Sequence, residues 1–243
     1  MNTIILKVAA SFTAAILMST NCYATDNQAQ PNQIMAIDIL LEPDANMIRH
    51  ASDNNALLLK VYPKGFSLDA AHTPHITLIQ RFVRSKDLDN VYAAANKALA
   101  KTNVKAIQLK AYKYYYYVPS GPIGLAGIVA KPTPELLKLQ AEIIAAVAPY
   151  TVETGDSSAF ITTPDDPVID PVLIQYVATF VPKQTGEHFS PHVSTGVALK
   201  EYLDQMLAKP FQPFTFSPTG AAVYQLGQFG AAAKKLRRLE LQP

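Results

Sequence analysis

The feature that most constrains this chain is a short motif that occurs once in each half of the sequence. The first copy is Pro74-His75-Ile76-Thr77-Leu78, and the second is Pro191-His192-Val193-Ser194-Thr195-Gly196. Each copy has a histidine, then one β-branched apolar residue, then a hydroxyl residue. On a β-strand, residues i and i+2 point to the same face. The histidine and the hydroxyl of each copy therefore share one face, while Ile76 and Val193 point into a core.

Two such strands facing each other would form an acid–base site. Imidazole is the side chain best suited to proton transfer near neutral pH. With His75 and His192 on opposite sides of one phosphorus, one could take a proton from the attacking oxygen while the other protonates the leaving oxygen. The hydroxyls of Thr77 and Ser194 could hydrogen-bond the phosphoryl oxygens. This chemistry requires no metal and no other cofactor.

Around the motifs, short strand and helix patterns are mixed without a regular βαβ repeat. Apolar, β-branched or alternating residues predict strands at 34–41, 75–83, 104–118, 122–130, 172–181, 192–197, 214–216, 221–226 and 236–241. Helical spacing of apolar residues predicts helices at 44–60, 87–101, from Pro134 onward and at 199–207. This order favours an α+β fold with antiparallel sheet. No Gly-rich phosphate-binding loop of either common kind occurs in the sequence.

The N-terminal residues 1–24 are typical of a secretory signal peptide. Lys7 supplies the positive charge, the apolar run 8–18 is short for a bilayer span, and Cys22-Tyr23-Ala24 offers a small-x-small cleavage site. We therefore predict cleavage after Ala24, a flexible mature N-terminus over 25–33 and one folded domain over 34–243. The expected location is periplasmic or secreted, with no membrane segment in the mature form.

Charge and cysteine content exclude several classes of protein. Lys and Arg number 21 against 19 Asp and Glu, and a formal net charge of +2 argues against nucleic-acid binding by bulk charge. The single cysteine, Cys22, allows no internal disulfide and no cysteine-based zinc cluster. A hydrophobic fraction of 49% with 16% charged residues supports a sizeable core rather than global disorder.

A dense aromatic stretch runs from Tyr112 to Tyr117. Strand alternation places Tyr115 and Tyr117 on one face, and Tyr114 and Tyr116 on the other. We expect one face to pack in a core, whereas the other could stack on a nucleobase. The sequence leaves the choice of face open, and we take Tyr115 and Tyr117 as the candidates for base stacking.

These motifs resemble those of the 2H phosphoesterases, a superfamily that includes RNA 2′,5′-ligase-like proteins and cyclic phosphodiesterases. The superfamily is named for two His-x-Thr/Ser motifs, which 75–77 and 192–194 match. The stretch 223–230 also resembles the superfamily's C-terminal strand and turn, and the resemblance extends from about Ile34 to Leu241. It implies a bilobal α+β fold, in which two pseudo-symmetric lobes with antiparallel sheets enclose a central cleft lined by both motifs.

The resemblance also implies metal-independent attack on 2′,3′-cyclic phosphates or 2′,5′-linked (oligo)nucleotides. The expected substrate is therefore a nucleotide or short RNA, and no protein partner is implied. His75 and His192 would be the acid and the base, with Thr77 and Ser194 holding phosphate oxygens. The similarity of the two halves allows either assignment. We take His192 as the base toward water and His75 as the acid toward the leaving 2′-oxygen.

Two alternatives remain open at this point. The first is a binding protein of the same fold, whose cleft holds a phosphorylated ligand without turning it over. The second is a metal-dependent hydrolase that uses His72 and His188 together with the motif histidines. On an extended chain His72 and His75 fall on opposite faces, and neither pair has an acidic or thiol ligand at helical spacing, so histidine spacing alone is a weak indicator of a metal.

Overall fold

The computed structural model describes residues 32–119 and 121–242. The predicted signal peptide, its cleavage site at Ala24 and Cys22 lie outside the described residues, as does most of the predicted flexible segment 25–33. Within the described part of the chain, no helix has both the length and the apolar character needed to cross a membrane.

Nine strands and six α-helices make up the described fold. The strands are β1 (Ile34–Pro43), β2 (Ile76–Arg84), β3 (Leu109–Tyr117), β4 (Ile123–Ala130), β5 (Thr151–Val152), β6 (His192–Leu199), β7 (Phe214–Phe216), β8 (Pro218–Leu226) and β9 (Ala232–Arg238). The helices are α1 (Ala45–Val61), α2 (Leu88–Leu99), α3 (Pro134–Val147), α4 (Pro171–Ala178), α5 (Phe180–Gln184) and α6 (Lys200–Leu207).

The strands form two sheets with antiparallel pairing throughout. One sheet has five strands in the order β5-β2-β1-β8-β9, and the other has four in the order β6-β4-β3-β7. The first motif leads into β2 and the second begins β6, so each sheet carries one motif. The predicted α+β fold with two lobes, one sheet to each, is confirmed.

A single large apolar cluster joins the two sheets to the helices. It includes Ile76 and Val193, both fully buried, so the middle residue of each motif points into the core as predicted. Helix α1 starts where the Asp44 carboxylate accepts a hydrogen bond from the Met47 amide at 3.0 Å, an N-cap. This helix follows β1 in the chain but packs against β6, whereas α3 packs against β2. Each motif strand is thus supported by a helix from the other half of the sequence.

The strand predicted at 172–181 is wrong, because this segment forms α4 and α5. Apolar residues occupy most positions of this segment, and such a composition is also typical of a buried strand. The helix start is nevertheless encoded locally: the Asp170 carboxylate accepts from the Val172 amide at 2.8 Å, and Pro171 occupies the first turn, where its fixed φ suits a helix.

Two strand boundaries also differ from the prediction. The stretch 104–106 forms a 3₁₀ turn, so the strand expected from 104 begins at Leu109. The last strand covers 232–238 rather than 236–241, because it pairs with β8 directly after the turn at 228–230.

Both motif strands contain a β-bulge immediately after the hydroxyl residue. In β2 the pairing with β1 passes over Leu78, and in β6 the pairing with β4 passes over Thr195. A bulge changes which side chains share a face and re-aims the residues beside it. In β2 it allows Thr77 and Gln80, which strict alternation would separate, to reach the same carboxylate.

A buried amide side chain holds each bulge. The carbonyl of Leu78 accepts from Gln140 Nε2 of α3 at 3.0 Å, and the carbonyl of Thr195 accepts from Asn55 Nδ2 of α1 at 2.9 Å. Both amide residues are buried. Because an unpaired buried carbonyl is costly, these contacts fix the two bulges and with them the direction of the motif side chains.

Candidate active site

One cleft of about 390 Å³ lies between the two motif strands. The four motif residues all line it: His75 and Thr77 from one lobe, His192 and Ser194 from the other. The structure therefore brings together the four side chains that the sequence singled out.

The two motif histidines are held in the same way. His75 Nδ1 donates to the Thr73 carbonyl at 2.7 Å, and His192 Nδ1 donates to the Ser190 carbonyl at 2.8 Å. A carbonyl only accepts, so each contact places a proton on Nδ1 and leaves Nε2 as the working nitrogen. In both cases the acceptor lies two residues earlier, across a proline. The proline of each motif, with its fixed φ, thus belongs to the turn that orients the ring.

A buried carboxylate lies beside His75. Asp38 of β1 is fully buried, and its Oδ2 is 3.4 Å from His75 Nε2. The same oxygen accepts from Thr77 Oγ1 at 2.6 Å and from Gln80 Nε2 at 3.0 Å. Sequence reasoning missed Asp38, although a lone acidic residue in the apolar run 34–41 signals a buried charge that needs partners.

The contact with Asp38 bears on the expected role of Thr77. A threonine hydroxyl has one proton to donate, and Thr77 gives it to Asp38. A phosphoryl oxygen is also an acceptor, so it would need the same proton. In the structure Thr77 donates to the Asp38 carboxylate and helps to hold it in place. The phosphate contact expected of Thr77 stays a prediction, and it requires the hydroxyl to rotate.

The second motif has an aromatic neighbour instead of a carboxylate. The Tyr115 ring meets His192 edge-on with centroids 4.6 Å apart, and its hydroxyl lies near Ser194. Space for this ring depends on Gly127 of β4, where a Cβ would lie 2.6 Å from Tyr115 Cε1. Burial raises the pKa of Tyr115, so its hydroxyl stays protonated at neutral pH.

The pKa values of the two motif histidines are displaced in opposite directions. Burial alone would lower the pKa of His75, but the hydrogen bond and the charge of Asp38 outweigh it and raise the pKa above its ordinary value. Burial lowers the pKa of His192 and outweighs the hydrogen bond to the Ser190 carbonyl, which raises it. The charge of His75 lowers this pKa and the charge of Asp38 raises it, both by less. Near neutral pH these directions favour the protonated form of His75 and the neutral form of His192.

The tyrosine alternation is as predicted. Tyr115 and Tyr117 line the cleft, while Tyr114 and Tyr116 pack against the cluster around α6 on the other face. Tyr117 is half exposed at the cleft wall, which leaves its ring available for contact with a ligand.

Helix α4 and the turn before β9 supply further cleft residues that sequence reasoning missed. Tyr176 faces the cleft from α4, and burial together with the Asp38 charge raises its pKa. Phe229 lies in the turn with a φ of 63°, a left-handed conformation that is uncommon for a bulky residue.

The other two candidate histidines do not line the cleft. His72 is buried, with Nε2 2.9 Å from Asp166 Oδ2 and Nδ1 3.2 Å from Asp69 Oδ1. His188 is exposed and pairs loosely with Glu187 at 3.8 Å. Among the described residues, no group of three or more His, Cys, Asp and Glu side chains is arranged to hold a metal ion.

His72 instead supports the aromatic wall of the cleft. Its ring stacks on Phe66 with centroids 4.4 Å apart and an interplanar angle of 7°, and Phe66 in turn contacts Phe229 at 5.4 Å. The two carboxylates that hold His72 are thus linked to Phe229 through the ring of Phe66.

Comparison with known proteins gives a likeness in fold only. No family model matches the chain, and no curated protein matches it in sequence. E. coli LigT, solved with phosphate, is 13% identical over 87% of this chain and 99% of its own, with a TM-score of 0.47. Usb1 of Kluyveromyces marxianus is 10% identical over 87% of this chain and 99% of its own, with a TM-score of 0.41.

Both solved structures are thus similar to this chain over most of its length at low sequence identity. At these identities and TM-scores the likeness concerns the path of the chain, so a functional conclusion has to rest on the residues of the cleft itself.

Proposed function

We propose that this protein is an exported, metal-independent phosphodiesterase of the 2H type. Its substrates would be 2′,3′-cyclic phosphates or 2′,5′-linked (oligo)nucleotides. The observation that supports the proposal is that His75 and His192, each tethered through Nδ1 to a carbonyl two residues earlier, both line one cleft.

The chemistry on a 2′,3′-cyclic phosphate follows from the two protonation states. His192 Nε2, unprotonated, takes a proton from a water as its oxygen bonds to phosphorus. The bond from phosphorus to the 2′-oxygen breaks, and His75 Nε2–H protonates that oxygen. The product is a 3′-phosphate monoester with a free 2′-hydroxyl. General acid and general base catalysis each contribute about 10²–10⁴-fold.

Turnover of the four nucleoside 2′,3′-cyclic monophosphates in EDTA tests this proposal. Hydrolysis by the chain from residue 25 should survive the chelator and should fall by about 10²-fold or more in His75→Ala and in His192→Ala. His188→Ala removes an exposed histidine that does not line the cleft and should retain activity.

Other results would support a different function. Tight binding of a cyclic nucleotide by the wild type without turnover would make this a binding protein. Activity abolished by EDTA and restored by a divalent metal would support a metal-dependent hydrolase.

Export is proposed from the sequence of residues 1–24. Cleavage after Ala24 would give a mature chain that begins at Thr25. N-terminal sequencing of the protein recovered from the periplasm or medium of a bacterial host should read from Thr25. Retention in the cytoplasm with Met1 intact would refute the export proposal and leave the chemistry untouched.

A further inference from the structure

Aromatic residues form a substantial part of the cleft wall. Six rings line it from both lobes: Tyr115, Tyr117, Tyr176, Phe180, Phe189 and Phe229. Phe229 has a left-handed backbone, and its ring lies tilted against Phe66, which in turn stacks on His72. Strain of this kind persists only where the surroundings impose it, and it concentrates at ligand sites. Such a wall suits the flat, apolar face of one nucleobase.

The charge of the cleft is unusual for a site that acts on nucleotides. None of the described residues that line it is Lys or Arg, and the carboxylate among them, Asp170, caps α4. The cationic group is His75, whose charge is already opposed by Asp38 at 3.4 Å. His192 must be neutral to act as the base. The cleft therefore has one cationic group, which is already paired with Asp38, and none of its described lining residues supplies a cation for a further phosphate.

The size of the cleft leads to the same conclusion. Its volume of about 390 Å³ is near the lower end of the ~300–1,000 Å³ typical of ligand pockets. One nucleoside with its cyclic phosphate fits a cleft of this volume, whereas a chain of several nucleotides exceeds it.

We propose that the cleft selects a singly charged phosphodiester of one nucleoside, and discriminates against the same compound carrying a further phosphate. This inference rests on the proposed function and narrows it, because it favours 2′,3′-cyclic mononucleotides over 2′,5′-linked oligonucleotides. A buried phosphate without a cation is expensive, and that cost is the source of the selectivity.

The direct comparison is between adenosine 2′,3′-cyclic monophosphate and its 5′-phosphorylated form. We expect kcat/KM to be lower for the 5′-phosphorylated compound by about tenfold or more. Equilibrium binding of both compounds to His192→Ala should show the same preference without turnover. Equal values for both compounds, or a preference for the second, would overturn the inference while leaving the proposed function intact. Turnover of neither compound would contradict the proposed activity on 2′,3′-cyclic phosphates, and the binding measurement would still decide whether the cleft selects by charge.

A designed cation gives a second test. Val172 lines the cleft from the first turn of α4 and is partly exposed. Val172→Lys should raise the ratio of kcat/KM for the 5′-phosphorylated compound to that for the unphosphorylated one. Val172→Met, of similar length but uncharged, should leave this ratio at the wild-type level. The same ratio in both variants would contradict the charge argument.

Discussion

Replacing Asp38 by Asn should change the pH dependence of the proposed activity more than the structure of the protein. Asn is isosteric with Asp and can still accept from Thr77 and Gln80. Its new amide protons have a potential acceptor in Gln80 Oε1, a buried oxygen that has no hydrogen-bond partner among the described residues. What the substitution removes is the negative charge 3.4 Å from His75 Nε2.

The size of the effect follows from this distance. Two unit charges about 4 Å apart attract each other by about 4 kcal/mol at an effective dielectric constant of about 20. Each ~1.4 kcal/mol is a factor of ten in the ratio of protonated to neutral His75. Because Thr77 and Gln80 already share part of the Asp38 charge, we expect a loss of kcat/KM of roughly 10- to 100-fold at pH 8.

The loss should depend on pH with a definite sign. Asp38 raises the pKa of His75, so removing its charge makes the acid lose its proton at lower pH. The basic limb of the kcat/KM profile should move to lower pH, the acidic limb, set by His192, should change little, and activity near pH 5.5 should be nearly retained. Asp170→Asn is the matched control, since it removes a carboxylate from the cleft wall while Asn preserves the cap of α4. A uniform loss at all pH values in Asp38→Asn would refute the reasoning.

Three further outcomes are expected. The wild-type kcat/KM should form a plateau spanning the ordinary histidine pKa of ~6.5 and fall on both sides, and a rate that climbs steadily from pH ~5 to ~9 would contradict the two-histidine mechanism. Gln140→Leu leaves the Leu78 carbonyl buried and unpaired, so urea denaturation should show a loss of about 1–3 kcal/mol, and an unchanged midpoint would count against the supported bulge. Gly127→Ala places a Cβ 2.6 Å from Tyr115 Cε1, so stability should fall by about 1–3 kcal/mol and kcat/KM with it; a variant with wild-type values of both would show that the Tyr115 ring can move freely.

The parts of the site that could be predicted from the sequence depend on local periodicity. Strand alternation is enough to turn Ile76 and Val193 into the core and Tyr115 and Tyr117 toward the cleft. The hydrogen bond from each histidine Nδ1 is local as well, since its carbonyl acceptor is two residues earlier in the chain. The Pro-His pair of each motif is the sequence feature that accompanies this contact.

The parts that were missed depend on contacts between distant residues. Asp38 reaches Thr77 and Gln80 across the β1–β2 pairing, and the register of that pairing depends on a bulge that no local pattern marks. The bulge is in turn held by Gln140, a helix residue far along the chain. The strand prediction at 172–181 was wrong for a different reason. The largely apolar composition of this segment suggested a buried strand, although Asp170 and Pro171 are a local signal for the start of a helix.

The central claim is that the two motif histidines carry opposite protonation states in one cleft. NMR titration of the imidazole resonances tests it without a substrate. The five histidines can be assigned by single replacement. His75 should titrate above the ordinary value of ~6.5 and His192 below it. The reverse order, or identical titration of the two, would contradict the assignment of His75 as acid and His192 as base.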